Sequence, residues 1–202
     1  MKFNNDMLRL YAVTDRHWTG EQTLYEQVRD VLMGGATCLQ LREKDLDEAS
    51  FYEEAKNIKE LCRLFDVPFI INDNVMLAKE IDADGVHVGQ DDMACVKARE
   101  ILGPDKIIGV SAHTIEEARI AKEHGADYLG IGAIFPTSSK DDAEVLGIKR
   151  LKEMTDTVDL PMVAIGGISY DNCLLLKDTG IDGIAVILSL IHISEPTRRS
   201  YI

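Results

Sequence analysis

The sequence has no apolar run that approaches the roughly 18 residues needed for a membrane-spanning helix. Its first residues, 1–6, contain no apolar core of the kind found in secretion signals. These absences argue against a membrane protein and predict a cytoplasmic location.

Cysteine is scarce and is not arranged for metal binding. The four cysteines, Cys38, Cys62, Cys95 and Cys173, form no CxxC pair, and no histidine is spaced to complete a zinc site. Without a secretion signal, such cysteines are expected to stay reduced. We therefore predict free, mostly buried thiols.

The chain is also poor in basic residues. It has 22 Lys and Arg residues against 35 Asp and Glu, which gives a formal net charge of −13. Nucleic acids and anionic membranes bind basic surfaces, so neither is predicted as a partner. Phosphorylated small molecules remain compatible, since a few cations and backbone N–H groups at one end of a fold can bind phosphate. The length of 202 residues predicts one globular domain, and its oligomeric state stays open.

Short apolar runs recur along the chain and predict strands. The runs lie at residues 8–14, 37–41, 68–72, 85–88, 107–110, 128–131, 161–165 and 183–187. They are nearly continuous rather than alternating, which suits parallel strands covered on both faces. Segments with helical periodicity separate most of them.

The starts of several strands resemble one another, because Asp84, Asp127 and Asp182 each stand between a helix stop and a strand. Eight strands and seven intervening helices or crossovers predict an α/β fold, a (β/α)₈ TIM barrel. The alternative is an open doubly wound sheet. No GxGxxG turn follows the first strand, which disfavours it.

Active sites of such barrels lie at the carboxyl ends of the strands. After the second run, strand alternation places Gln40, Arg42 and Lys44 on one side. Amide and cationic groups suit a pyrophosphate, because Arg binds it bidentately and Lys adds a point charge. A solvated run of charges is the alternative.

Acidic residues follow the next two strands. Asp73 comes directly after the third run, and Asp91 and Asp92 follow the fourth. Mg²⁺ takes one or two carboxylates with water and phosphate oxygens. We therefore predict that Asp73 and one of the other two aspartates hold Mg²⁺, with helix capping as the alternative.

The later strands end in small and hydroxyl-bearing residues. Ser111 is expected to face the mouth, and Thr114 to cap a helix. His113 is either a general base or, more in keeping with its position, a histidine on the rim. The loop around residues 135–147 predicts a phosphate-contacting lid, with a flexible surface loop as the alternative. The glycines at 166–167 let backbone N–H groups approach a phosphate.

Taken together, these residues resemble the thiamine phosphate synthase (thiamine-phosphate pyrophosphorylase) family over residues 10–187. The matching segments are residues 11–15, 40–44, 71–73, 85–92, 109–114, 135–140 and 164–168. The resemblance implies a Mg²⁺-dependent transferase that joins hydroxymethylpyrimidine pyrophosphate to thiazole phosphate and releases pyrophosphate. The alternatives are a thiazole tautomerase of the same barrel family and an inactive truncated binding protein.

The resemblance also implies a role for each site residue. The pyrimidine pyrophosphate is held by Gln40, Arg42, Lys44, Asn72, Ser111 and Lys140, among which Arg42, Ser111 and Lys140 are catalytic. Mg²⁺ is held by Asp73 and Asp92, and family similarity alone selects Asp92 over Asp91. The thiazole side is formed by Thr137, Ser139, Gly167 and Ile187.

The resemblance fails at the end of the chain. Leu188 stands where the family has a phosphate-binding serine, and residues 188–202 have no counterpart in the family. They resemble the translation of a transposon-end sequencing adapter. We therefore predict a barrel at residues 1–187 that lacks its native final helix, followed by a non-native tail at 188–202.

Overall fold

The computed structural model describes residues 2–16, 22–90, 95–137 and 145–187. In chain order, eight parallel strands close into a barrel, and the last strand pairs with the first, as predicted. The strands are β1 Leu10–Val13, β2 Cys38–Leu41, β3 Phe69–Asn72, β4 Gly85–Val88, β5 Ile107–Ala112, β6 Tyr128–Ile131, β7 Met162–Ile165 and β8 Gly183–Ile187. The (β/α)₈ fold is confirmed.

Helices connect the strands on the outside of the barrel. They are α1 Leu24–Met33, α2 Glu48–Leu64, α3 Val75–Glu80, α4 Cys95–Leu102, α5 Ile115–Glu123 and α6 Gly147–Thr157. Between β7 and β8, where the sequence predicted a helix, the structure has the short 3₁₀ helix Cys173–Leu176. The side chain of Thr114 accepts a hydrogen bond from Glu117 N, so its predicted capping role at α5 is confirmed.

Two strand boundaries differ from the prediction by two residues, and the other differences are of one residue. A 3₁₀ helix, Asn5–Leu8, precedes β1, because the side chain of Asn4 accepts a hydrogen bond from Met7 N at 3.2 Å. The first strand therefore begins at Leu10 rather than at residue 8. At the other boundary, β5 continues to Ala112 and includes Ser111.

The apolar core has two layers. The outer layer lies between the strands and the helices, and it contains residues such as Leu39, Ile71 and Leu129. The inner layer fills the barrel with side chains from several strands, including Ile70 and Val163. The interior is therefore a packed apolar core, as is usual in such barrels.

At the amino end of the barrel, one polar contact recurs ahead of every second strand. Asp84, Asp127 and Asp182 accept hydrogen bonds from the backbone N–H groups of Phe69, Ile108 and Met162 at 2.9, 2.7 and 2.9 Å. Thr37 does the same ahead of β2, where its hydroxyl accepts from Leu10 N at 2.9 Å. The repeated aspartates of the sequence therefore join the starts of β4, β6 and β8 to the strand before each of them.

The cysteines behave as predicted, since Cys38, Cys62 and Cys95 are buried free thiols and Cys173 is half-buried. Burial raises the pKa of the Cys62 thiol to about 12. Among the described residues, no helix is long and apolar enough to cross a membrane.

Candidate active site

Gln40 lies inside the barrel rather than on its rim. Its side chain is 5% exposed, and its amide Nε2 donates a hydrogen bond to the hydroxyl of Tyr11 at 2.8 Å. Its backbone carbonyl accepts from Thr14 N at 2.9 Å, across the β1–β2 pair. Gln40 is therefore fixed on both its backbone and its side chain.

Arg42 is held just beyond the end of β2. Its backbone N donates to the Thr14 hydroxyl at 2.9 Å, and its guanidinium lies 3.5 Å from the carboxylate of Asp15. Lys44 is exposed, two residues farther along the same loop. Because the strand ends at Leu41, strand alternation determines the direction of Gln40 but not that of Lys44.

Asp73 stands at the carboxyl end of β3 in an unusual backbone conformation. Its φ angle is 63°, in the left-handed region, and its backbone N donates to the carbonyl of His87 at 2.8 Å. Its carboxylate accepts a hydrogen bond from the side-chain amide of Asn72. The cap of α3 is Asn74, whose side chain accepts from Leu77 N, so the capping alternative for Asp73 is not observed.

This donor set fits one half of a Mg²⁺ site. A carboxylate at a strand end is the hard oxygen ligand that Mg²⁺ prefers. Asp91 and Asp92, the other predicted ligands, lie outside the described residues. Within the described ranges, no group of three or more His, Cys, Asp or Glu side chains is placed to hold a metal.

Ser111 and Gln40 are joined by a continuous series of hydrogen bonds, which we name the interior chain. Ser111 Oγ lies 3.0 Å from His87 Nε2, and His87 Nδ1 lies 3.1 Å from the Tyr128 hydroxyl. The Tyr128 and Tyr11 hydroxyls are 2.7 Å apart, and Gln40 donates to Tyr11. The interior chain thus includes residues of β1, β2, β4, β5 and β6, and it links two predicted substrate-binding residues.

The interior chain is uncharged near neutral pH. Burial lowers the pKa of His87 from 6.5 to about 4, so its imidazole is neutral. Burial also raises the pKa values of Tyr11 and Tyr128 well above the ordinary value of a phenol. These groups therefore act as hydrogen-bonding dipoles rather than as ions.

Sequence reasoning missed the middle of the interior chain. Tyr11 and His87 lay in the matching segments and Tyr128 began a predicted strand, but only strand alternation could have indicated that they face inward. His113, in contrast, lies on the rim of the barrel, as its position in the sequence indicated. Its backbone N donates to the Glu117 carboxylate at 2.7 Å, and its exposed ring lies 3.4 Å from the same group.

The loops after β6 and β7 contact each other. Gly166 and Gly167 have positive φ angles of 95° and 63°, and a Cβ atom on Gly167 would lie 2.4 Å from the carbonyl oxygen of Pro136. Only glycine allows this approach. The contact places the glycine turn beside the start of the loop that contains Thr137, whereas Ser139 and Lys140 lie outside the described residues.

Ile187 ends β8 and pairs with Val13 of β1, so it too lies at the carboxyl end of the barrel. The predicted site residues that the structure describes therefore end or follow six strands: Gln40, Arg42 and Lys44 at β2, Asn72 and Asp73 at β3, Ser111 at β5, Thr137 after β6, Gly167 after β7 and Ile187 at β8. This is the end where such barrels bind their substrates.

Comparison with known proteins gives a consistent result. A family profile described as thiamine monophosphate synthase matches residues 10–190, a span that contains every predicted site residue. The thiamine-phosphate synthase of Desulfitobacterium hafniense (strain DSM 10664 / DCB-2) is 50% identical over 188 residues, which cover 93% of this chain and 91% of the relative. The thiamine-phosphate synthase of Clostridium acetobutylicum is 48% identical over 183 residues, covering 91% and 87%.

A solved structure agrees with these sequence relatives. The thiamine phosphate pyrophosphorylase from Pyrococcus furiosus superimposes with a TM-score of 0.84 at 43% sequence identity. The superposition covers 93% of this chain and 89% of that one. The similarity therefore extends over most of both barrels.

Proposed function

This chain belongs to the thiamine monophosphate synthase family, and we propose that it condenses hydroxymethylpyrimidine pyrophosphate with thiazole phosphate, giving thiamine phosphate and pyrophosphate. It is accordingly a transferase of thiamine biosynthesis. We place the reaction in the cytoplasm, with these small molecules as the substrates. The observation that carries the proposal is the agreement between the family match and the residues at one end of the barrel, namely the polar residues that end β2, β3 and β5 and the glycine turn after β7.

The proposed site needs no nucleophile of its own. The aminopyrimidine ring stabilises positive charge at its methylene carbon, so pyrophosphate can leave before the thiazole nitrogen attacks. The protein then has to stabilise the departing negative charge and align the two substrates. Arg42, positioned by Thr14 and Asp15, is suited to the first task, together with Lys44 and Lys140.

The other site residues are assigned to one substrate or the other from their positions in the barrel. We assign Gln40, Asn72 and Ser111 to the pyrimidine substrate, because they lie on β2, β3 and β5 at the carboxyl end. We assign Thr137, Ser139, the Gly167 backbone and Ile187 to the thiazole phosphate. The contact between the β6 and β7 loops supports this second group.

Asp73 and Asp92 are the residues that would hold Mg²⁺. When bound there, the ion supplies positive charge to the pyrophosphate oxygens, which the acidic net charge of the chain does not provide. Asp73 contributes a carboxylate whose direction is restrained by the amide of Asn72.

His113 was the residue that made the thiazole tautomerase alternative conceivable. Its exposed ring beside Glu117 at the start of α5 gives no support to that role. The inactive-protein alternative depends on residues 188–202, which lie outside the described residues. We maintain the proposal that these residues are a non-native tail, and sequencing the encoding DNA beyond the Ile187 codon tests it.

An assay of thiamine phosphate formation tests the function. The chain as written would be compared with a version that has a family-like final strand and helix, each with both substrates, Mg²⁺ and an EDTA control. We expect metal-dependent product from the restored chain and less or none from the chain as written. A folded, restored chain that forms no product would overturn the synthase proposal.

A further inference from the structure

We propose that Tyr11, Tyr128 and His87 are positioning residues that fix the hydrogen-bonding directions of Gln40 and Ser111 toward the substrate. This inference rests on the proposed function, in which Gln40 and Ser111 hold the pyrimidine pyrophosphate. It extends that function inward, to three side chains that the substrate need not touch.

Gln40 donates the first hydrogen bond of the interior chain, and we assign the directions of the other bonds from it. Gln40 donates to Tyr11 at 2.8 Å, and in the assigned arrangement the Tyr11 hydroxyl donates in turn to Tyr128 at 2.7 Å. Tyr128 then donates to His87 Nδ1 at 3.1 Å. A neutral imidazole that accepts at Nδ1 has its hydrogen on Nε2, which donates to Ser111 Oγ at 3.0 Å.

With these hydrogen-bond directions, and within the part of the protein that the structure describes, the interior chain ends in a free donor at Ser111 and a free acceptor at Gln40. The hydroxyl hydrogen of Ser111 is available to a ligand, and so is the side-chain carbonyl oxygen of Gln40. A ligand that reaches both must accept a hydrogen bond from Ser111 and donate one to Gln40. A ring nitrogen and an exocyclic amine on one heterocycle have this pattern, so the interior chain suits the aminopyrimidine of the proposed substrate.

The barrel wall provides space for these contacts. Gly109 lies between His87 and Tyr128 in the strand register, and a Cβ atom there would lie 2.1 Å from the Tyr128 ring and 2.5 Å from His87 Nδ1. A Cβ atom on Gly130 would lie 3.0 Å from the His87 ring. Two inward-facing glycines therefore make room for the polar side chains, where larger apolar residues would exclude them.

The aromatic rings also have fixed orientations. The Tyr11 and Tyr128 rings meet edge to face, with centroids 5.8 Å apart, and Phe3 stacks on Tyr128 at 6.1 Å. These ring contacts do not involve the hydroxyl groups. Removing one hydroxyl should therefore interrupt the interior chain while the rings stay packed.

Tyr128→Phe is the main test. In the restored chain, which serves as the wild type for these kinetic tests, we expect KM for the pyrimidine pyrophosphate to rise by about tenfold or more, because Ser111 and Gln40 lose their fixed directions. KM for the thiazole phosphate should stay unchanged. The matched control is Ile70→Val, which removes one methylene from the same barrel interior without changing a polar group. A variant Tyr128→Phe with the KM values of the control would overturn the proposal.

A double-mutant cycle tests whether Tyr128 acts through Ser111. If it does, Tyr128→Phe should raise KM much less in a Ser111→Ala background than in the wild type. Ile70→Val should have the same effect in both backgrounds. Additive effects of Tyr128→Phe and Ser111→Ala would mean that the phenol is merely structural.

The tautomer of His87 can be measured without any substrate. Two-dimensional ¹⁵N NMR of the imidazole should show hydrogen on Nε2 and none on Nδ1, and Tyr128→Phe should shift the Nδ1 resonance. Hydrogen on Nδ1 would reverse the assigned directions and overturn the proposal. A folded, restored chain that neither binds pyrimidine pyrophosphate nor forms product would instead refute the proposed function, and the NMR result would still decide the interior chain.

Discussion

At the amino end of the barrel the same contact recurs, whereas at the carboxyl end the described strands finish in different polar groups. Asp84, Asp127 and Asp182 each bind the backbone of the preceding strand. The opposite end has, among others, a guanidinium, a carboxylate and a glycine turn. Repetition at one end joins the strands, and variety at the other provides the chemical groups that a reaction needs. The comparison predicts that substitutions at the two ends have separable effects on stability and activity.

The largest expected effect is at the carboxyl end. Asp73→Asn should lower kcat by about 100-fold or more, because a neutral amide binds Mg²⁺ poorly. Asparagine tolerates the left-handed backbone at φ 63°, so the loop should keep its conformation. Steady-state rates over a range of Mg²⁺ concentrations would measure the change.

Asp66→Asn is a matched control, because Asp66 also has a positive φ angle, 57°, but is exposed between α2 and β3 at the amino end. We expect it to leave the rate unchanged. Near-normal turnover in Asp73→Asn would remove Asp73 from the proposed metal site.

A smaller effect is expected in the polar part of the barrel interior. The folded-state pKa of His87 is about 4, below its ordinary value of 6.5, so the unfolded chain takes up this proton first. The free energy of unfolding should therefore fall as the pH drops from 6.5 to about 4, by up to about 3 kcal/mol from this residue. Above pH 6.5 the contribution of His87 should be constant.

Urea unfolding across this pH range would measure the effect. His87→Gln should remove part of the acid sensitivity, whereas His113→Gln, on the exposed rim, should leave it unchanged. Equal acid sensitivity in wild type and His87→Gln would contradict the depressed pKa.

The smallest of these effects is expected at the amino end. Asp127→Ala removes the acceptor of Ile108 N and the partner of Arg99, at 2.7 and 2.8 Å, and should lower stability by about 2 kcal/mol. Because the contact is far from the carboxyl end, both KM values should stay unchanged. Chemical denaturation and the product assay on the same preparation would measure both quantities.

Asp159→Ala serves as the control for Asp127→Ala, since Asp159 is a fully exposed aspartate 3.9 Å from Lys122. Its loss should not measurably change stability. If Asp127→Ala impaired catalysis as strongly as stability, the two ends would not be separable.

The barrel was predictable from the sequence because its signals are local. Continuous apolar runs and the repeated aspartates lie within short segments, so the order and approximate position of all the strands could be inferred. The start of β1 was wrong by two residues, since the capping contact of Asn4 forms a 3₁₀ helix that the apolar pattern does not reveal.

The site was predictable only in part, for a physical reason. Topology alone brings Arg42, Asp73 and Ser111 to the carboxyl end of the strands. The interior chain depends on how far each strand is displaced along its neighbour when the barrel closes. Strand alternation predicts which side of a strand a residue faces, but it does not predict this displacement. Tyr11 and Tyr128, 117 positions apart in sequence, meet through that displacement.

Gly109 restricts the order in which amino-acid substitutions can accumulate in this barrel during evolution. The volume beside its Cα atom is occupied by the Tyr128 ring and by His87, which belong to β6 and β4. Alanine at position 109 can be accommodated only after both of those side chains have moved or become smaller, and a smaller residue at 128 alone leaves a cavity. Each single substitution is thus unfavourable, although the three made together need not be, so the three positions are expected to be inherited as a unit.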